Sequence, residues 1–361
     1  MPNTKIIQAL EKDLSCNLAR LKCLSVLISA VLRHRTANLT LLATTSDGQS
    51  CSNESRYRRF QDFVLNFSLC LSSVSRFILR RIPKPSTGFV LAMDRTNWQF
   101  GRKEINFLAI AIIAGKVSIP IIWKVLPAKT KRGNSNTAQR ISLTKKLLKI
   151  IPAKDIKVLT MNREFVGKEW LSWLDSKGVG YVVRIKKNTL VGSFSALELA
   201  TRRGRKSQRL QTVFGLELFF ACKPMKKDER TSHLLIISNR FTGKEALNLY
   251  SLRWGIEKLL GHLKKKGFDL EATHMTNPAK LEKLFGILTM AFLLSFAWGC
   301  HLRSSEQKTS AATKRKSLFR LGLEDILNLA DCHSKDSGHR SRLKEFLHWL
   351  SSTTFNSIFL V

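Results

Sequence analysis

The stretch GFVLAMDRTNWQFGRKEINFLAIAIIAGKVSIPIIWKVL, residues 88–126, decides the fold. Its first six residues form a short, continuously apolar run that stops at Asp94. Ile105–Ala114 and Val117–Leu126 are two β-rich runs joined by Gly115-Lys116, a hairpin signal. Further along, Asn134-Ser-Asn-Thr137 offers N-caps to a helix carrying Ile141, Leu147, Leu148 and Ile151. A second apolar run, IKVLTM at 156–161, ends at Asn162. A helix through Trp170, Trp173 and Leu174 stops at Gly178, and residues 180–185 return as a strand. Strand, hairpin pair, helix, strand, helix, strand is an α/β layout with one mixed sheet.

The flanks differ in character. Residues 1–85 read as a basic helical module: an apolar stretch Leu24–Leu32 leads into Arg33, His34 and Arg35. A polar break follows at Thr45–Ser50, then Arg56, Arg58 and Arg59. Phe60, Phe63, Phe67 and Leu71 are spaced as one helix face, and Pro83 and Pro85 close the segment. Such a module reads equally well as a DNA reader or as helices with solvated basic faces. Residues 188–241 interrupt the α/β pattern as a β-rich insertion, with a basic loop at Arg202–Lys206 and strands at Leu210–Cys222 and His233–Ile237. Residues 242–302 resume the core with helices. Residues 303–361 comprise a basic, Ser/Thr-rich loop at Arg303–Lys316 and an amphipathic tail around Leu343, Phe346, Leu347 and Leu350.

Charge narrows the partners. The 361 residues carry 61 Lys and Arg against 26 Asp and Glu, a net charge of +35. Self-repulsion on that scale calls for a polyanion, and nucleic acid is the simplest one. Seven scattered cysteines, none spaced Cys-x-x-Cys, argue against a disulfide framework or a structural zinc site and suit a reducing cytoplasm. The adjacent Cys332-His333 pair reads as a loop coincidence. Residues 1–13 mix charged and apolar side chains and do not read as an export signal. The apolar run Leu284–Cys300 is short for a membrane span and is expected as a buried helix, so no membrane partner is expected.

Chemistry concentrates at three places. Met93-Asp94-Arg95 and Met161-Asn162-Arg163 each follow an apolar run, so Asp94 and Asn162 are expected side by side at a sheet rim. Oxygen ligands fixed by a strand suit a divalent cation, although a lone Asp there is also an ordinary turn residue. Thr242-Gly-Lys-Glu245 resembles a capping box that starts a helix near Gly243, and Gly267 is its expected stop. On one continuous helix at about 100° per residue, Tyr250, Arg253, Glu257 and Lys264 share a sector roughly 60° wide. Leu249, Leu252, Ile256, Leu259, Leu260 and Leu263 fall on the adjoining core face. The polar sector is either a surface of helical ion pairs or an acid ringed by groups that bind phosphate.

Those spacings carry a resemblance. Tyr250-x-x-Arg253-x-x-x-Glu257-x-x-x-x-x-x-Lys264, together with LAMDRTNWQFG (91–101) and NREFVGKEW (162–170), resembles the Tyr-Arg-Glu-Lys signature and flanking blocks of bacterial DDE transposases of the insertion-sequence-four type. The similarity spans about residues 50–325. It implies a ribonuclease-H-like mixed sheet core, entered at 86–187, interrupted by the insertion and completed by the helices of 242–302, with the N-terminal helices binding DNA. It implies that Asp94, the position of Asn162 and Glu257 form the catalytic triad, with Asp94 and Glu257 ligating Mg²⁺ or Mn²⁺ in a two-metal arrangement. Tyr250, Arg253 and Lys264 would contact DNA phosphates. The implied partners are terminal inverted repeats, target DNA and a second copy on paired ends, in a bacterial cytoplasm near the nucleoid.

This sequence departs from the family at one position: Asn162 stands where the second acid belongs. An amide offers a metal one neutral oxygen and lacks a carboxylate's charge and bridging capacity. Strand cleavage is therefore expected to be impaired. The competing reading is a non-catalytic DNA-binding remnant that occupies transposon ends or inhibits there. A basic RNA-binding protein fits the charge but leaves Asp94 and Glu257 unexplained. Some relatives stack a flipped base on a Trp in the insertion, and none lies between Trp173 and Trp254 here.

Overall fold

The computed structural model describes residues 3–45, 51–67, 69–115, 117–127, 134–203, 210–227, 230–305, 316–330, 337–352 and 354–355. They fall into two compact units. One gathers residues 84–97 and 104–259, and the other holds the remaining described residues.

The first unit is built on a mixed sheet of eight strands, β1 (Phe89–Phe100), β2 (Lys103–Ala114), β3 (Val117–Leu126), β4 (Ile156–Met161), β5 (Tyr181–Arg184), β8 (Leu210–Val213), β9 (Leu216–Lys227) and β10 (Arg230–Ser238). Two short strands, β6 (Leu190–Val191) and β7 (Phe194–Ser195), pair only with each other. The sheet order is β3-β2-β1-β4-β5-β10-β9-β8. The β1–β4 and β4–β5 pairs are parallel, whereas β2–β3, β5–β10, β9–β10 and β8–β9 are antiparallel. This is the expected mixed α/β sheet of a ribonuclease-H-like core. Parallel central strands are covered on both faces, which is why 89–93 and 156–161 read as unbroken apolar runs.

Two strands differ from expectation. Leu210–Cys222 is a hairpin, because Phe214 (φ 55°) and Gly215 (φ 71°) make the paired left-handed turn that matches strand twist. Strands β8, β9 and β10 of the 188–241 segment also extend the central sheet, with β10 joined directly to β5.

Helices in chain order are α1 (Asn3–Glu11), α2 (Leu18–His34), α3 (Leu39–Leu42), α4 (Asn53–Asn66), α5 (Leu71–Arg81), α6 (Thr137–Leu148), α7 (Lys168–Ser176), α8 (Ala196–Arg203), α9 (Gly243–Leu252), α10 (Trp254–Gly261), α11 (Pro278–Ser305), α12 (Leu318–Ala330) and α13 (Ser337–Leu350). Asn136 starts α6 through a full capping box with Gln139. Phe60 and Phe63 are buried on α4, but that helix stops at Asn66. Phe67 is extended and Leu71 opens α5, so the four residues do not form one face.

In the second unit α11 is the hub. It is long and apolar enough to cross a membrane, yet 94% of its apolar window is buried inside the protein. Gly299 and Gly322 let α11 and α12 meet backbone to backbone: a Cβ at either would lie 1.9 Å from a carbonyl oxygen, that of Leu318 or Ser295. Lys283 caps the end of α4 by donating to the carbonyls of Val64, Leu65 and Phe67 at 2.8, 3.3 and 2.5 Å. The α11 helix runs through Ser305, so the basic 303–316 segment begins helical. Its residues 306–315, with Ser46–Ser50, Gly204–Lys206 and Cys332-His333, lie outside the described residues.

Candidate active site

The β1–β4 register positions the first two residues of the site. Met93 pairs with Met161, so the next step along each strand sets Asp94 beside Asn162, with neighbouring strands about 4.8 Å apart. Asp94 does not end its strand as expected. The β4 strand stops at Met161, but β1 continues to Phe100 because its other edge pairs with β2. Both side chains turn back on their own backbone. Asp94 Oδ1 accepts from the Arg95 N–H at 2.9 Å, and Asn162 Oδ1 accepts from the Arg163 N–H at 2.7 Å.

The helical part differs from the continuous helix expected. Thr242 is the N-cap and Gly243 the first residue, as read from sequence, although the Thr242 side chain makes no capping bond. The helix then breaks at Arg253 between α9 and α10, and residues His262–Lys266 wind as a π-helical turn. The break turns Leu252 and Trp254 outward, 40% and 58% exposed, so Leu252 leaves the core face assigned to it. Ile256, Leu259, Leu260 and Leu263 are buried as expected.

Arg253 joins the acids. Its Nη1 donates to Asp94 Oδ2 at 3.0 Å and its Nη2 to Glu257 Oε1 at 2.5 Å. One guanidinium thus spans both carboxylates, which puts them within about 8 Å, the reach of a metal-bridged pair. The Arg253 side chain is 5% exposed and that of Glu257 34%, so the cluster opens toward solvent on the Glu257 side. The Tyr250 ring lies beneath, its centroid 5.3 Å from Arg253 Cζ, and it packs into the core with Val158, Val182 and Ile236. The Tyr250 hydroxyl and Arg253 Nε are buried without a hydrogen-bond partner among the described residues.

Burial pushes the Asp94 carboxyl up to about 6, against the pull of Arg253 and of the Arg95 N–H. Burial weakens the charged form of Arg253, but Tyr250, Asp94 and Glu257 more than offset it and hold the guanidinium above its usual range. The result is a half-sealed acid pair partly neutralised by an internal cation.

The sequence profile of the transposase DDE domain matches residues 82–294, more than half of the chain. The chain belongs to the DDE transposase family. No curated protein matches it. The matched interval encloses Asp94, Asn162, Tyr250, Arg253, Glu257 and Lys264.

In this DDE transposase, Lys264 is not left open for a ligand: it sits in the π-helical turn with Nζ 2.9 Å from Glu271 Oε1. Glu164 is engaged as well. Both its oxygens lie 3.2 Å from Arg95 Nε, and Ser135 Oγ is 3.5 Å from Oε1. Arg95 also donates to Asn106, while Arg140 ties the Glu164 carbonyl to the Ser135 carbonyl. This clamp behind the acids escaped the sequence reading. The only local hints were that Arg95 follows Asp94 and that Glu164 follows Asn162 by two.

DDE transposases generally use divalent metal ions. The donors here fit one such ion: two carboxylates already converge on a single guanidinium, and residue 162 follows in register beside Asp94, its amide oxygen now accepting from the Arg163 N–H. They do not supply a third acid. Among the described residues, no three His, Cys, Asp or Glu side chains gather as a metal site.

Proposed function

We propose that this protein is a transposase of the insertion-sequence-four type that binds the ends of its element and catalyses metal-dependent DNA strand cleavage and transfer, with cleavage severely impaired by Asn162. The observation that carries this reading is the convergence of Asp94 and Glu257 on one cation position inside the matched domain. Asp94 and Glu257 would hold Mg²⁺ or Mn²⁺, with Asn162 in the second catalytic position. When bound, the ion would polarise the scissile phosphate and lower the pKa of the attacking hydroxyl. A second ion of the two-metal scheme would have to share Asp94 without a negative partner across the sheet, and this is the physical basis of the impairment.

The family resemblance assigns Tyr250, Arg253 and Lys264 to DNA phosphates, a role that requires Arg253 and Lys264 to exchange their present partners Asp94, Glu257 and Glu271. The 1–85 helices, on which Arg33, Arg35, Arg58 and Arg59 are exposed, would be the DNA-binding module. The substrates would be terminal inverted repeats and target DNA, engaged by two copies on paired ends in a bacterial cytoplasm. A second reading, a DNA-binding remnant that occupies or blocks transposon ends, is favoured by Asn162 and by the guanidinium seated between the acids.

Cleavage of duplexes bearing the repeats that flank the coding region decides between them. The natural chain is expected to nick them far more slowly than the Asn162→Asp variant, with Mg²⁺ and with Mn²⁺. Equal turnover would refute the impairment. No nicking by either would favour the remnant.

A further inference from the structure

The cation between the two acids is part of the protein. Arg253 uses both Nη groups on Asp94 and Glu257, is almost fully enclosed, and leaves only Nε without a hydrogen-bond partner among the described residues. With each Nη committed to a carboxylate and the side chain 5% exposed, the guanidinium is not presented to a phosphate as an open fork. The acid pair cannot hold the guanidinium and a divalent ion in the same place either. The cluster is charge-poor because Asn162 is neutral: two carboxylates face one arginine. Arg253 also stands at the joint between α9 and α10, where the helix is already interrupted.

We infer that Arg253 is a resident counter-cation that competes with the divalent ion for Asp94 and Glu257, and that a DNA phosphate releases the acids by drawing the guanidinium away. Metal and DNA then bind with positive coupling, and linkage makes the coupling the same in either order. This rests on the proposed metal role of Asp94 and Glu257. It adds a gate to that role: the free protein takes up metal poorly, and the bound duplex opens the site.

The test is Mn²⁺ binding to the full chain, read as loss of the free-ion paramagnetic resonance signal. It is run with and without a duplex oligonucleotide whose own Mn²⁺ uptake is subtracted. Natural protein, Arg253→Gln, Arg253→Lys and Asp94→Asn are compared. Without DNA, Arg253→Gln is expected to bind Mn²⁺ at least about tenfold more tightly than the natural chain, within the usual span of allosteric coupling. Arg253→Lys, which keeps the charge but loses the fork, should fall between them. The duplex should tighten Mn²⁺ binding to the natural chain and leave Arg253→Gln unchanged. Should Arg253→Gln fail to fold, the Arg253→Lys comparison carries the test.

If the natural chain and the Arg253 variants bind Mn²⁺ equally, regardless of duplex, while Asp94→Asn abolishes binding, the gate is wrong and the metal reading stands. If no protein binds Mn²⁺, or Asp94→Asn binds as well as the rest, the metal reading falls and the gate with it.

Discussion

Replacing Asn162 by Asp puts a second carboxylate next to Asp94 on the parallel β1–β4 ladder. Two unit charges about 5 Å apart repel by about 3 kcal/mol at an effective dielectric near 20. Arg253 offsets part of this, and Asp94 relieves more by holding its proton, so the expected net loss is about 1–3 kcal/mol at pH 8 in chelator. For a unit of this size that lowers the melting temperature by on the order of 3–8 °C. Millimolar Mg²⁺ should restore most of it, because the added carboxylate completes an acid set for which the natural chain has no equivalent. Differential scanning fluorimetry of both proteins, with EDTA and with Mg²⁺, reads the effect. If the variant melts within about 1 °C of the natural chain in both conditions, Asp94 and position 162 do not share a site and the register argument fails.

Three further outcomes follow from other parts of the fold. The folded state holds the Asp94 proton up to about pH 6 and the unfolded chain only to about 4, so stability falls as pH rises through that window and is level above it. Urea denaturation from pH 3.5 to 8 should show the natural chain losing about 1–3 kcal/mol relative to Asp94→Asn across the window, and parallel curves would exclude the burial of that carboxyl. Glu164→Gln strips the charge from the part-buried clamp on Arg95 and should cost about 1–3 kcal/mol in the same assay, whereas an unchanged midpoint would mean the clamp is ornamental. Gly299→Ala forces α11 and α12 apart at a point where a methyl would meet the Leu318 carbonyl oxygen at 1.9 Å. A loss of about 3 kcal/mol or more is expected, and a neutral result would refute that close approach.

The core of the fold was legible because its signals are local. Strand β4 runs over the very residues of its apolar run, the β2–β3 hairpin turns at Gly115 as its flanking runs require, and α6 starts at Asn136, within the Asn134–Thr137 stretch that offered its N-cap. What escaped depends on partners distant in sequence. Asp94-Arg-Thr-Asn97 looked like the end of a strand, yet β2 supplies backbone partners that carry β1 through it. Phe214 gave no turn signal, because a phenylalanine rarely adopts positive φ.

At the site, the meeting of Asp94 with Glu257 was foreseen, and Arg253 was placed on the right sector. Its orientation was not foreseen: the spacing that suggested a phosphate contact also allows the inward bridge. The burial of Arg253 and Asp94 selects the bridge. The break at Arg253 carries no proline, and Gly255 two residues on is its sole nearby hint. The ion pair of Lys264 was not foreseen, because the residue lies within a π-helical turn that departs from the 100° wheel and Glu271 was not in view.

The backbone around Asn162 has a genetic consequence. Asparagine and aspartate codons differ by one purine transition in the first position, and residue 162 follows directly on the Met93–Met161 pair of the β1–β4 ladder, one step along from Asp94 on its neighbour. On the proposed reading, a lineage carrying this gene would stand one point mutation from a complete acid triad, and such a copy would be a reservoir from which a mobile element could be reawakened.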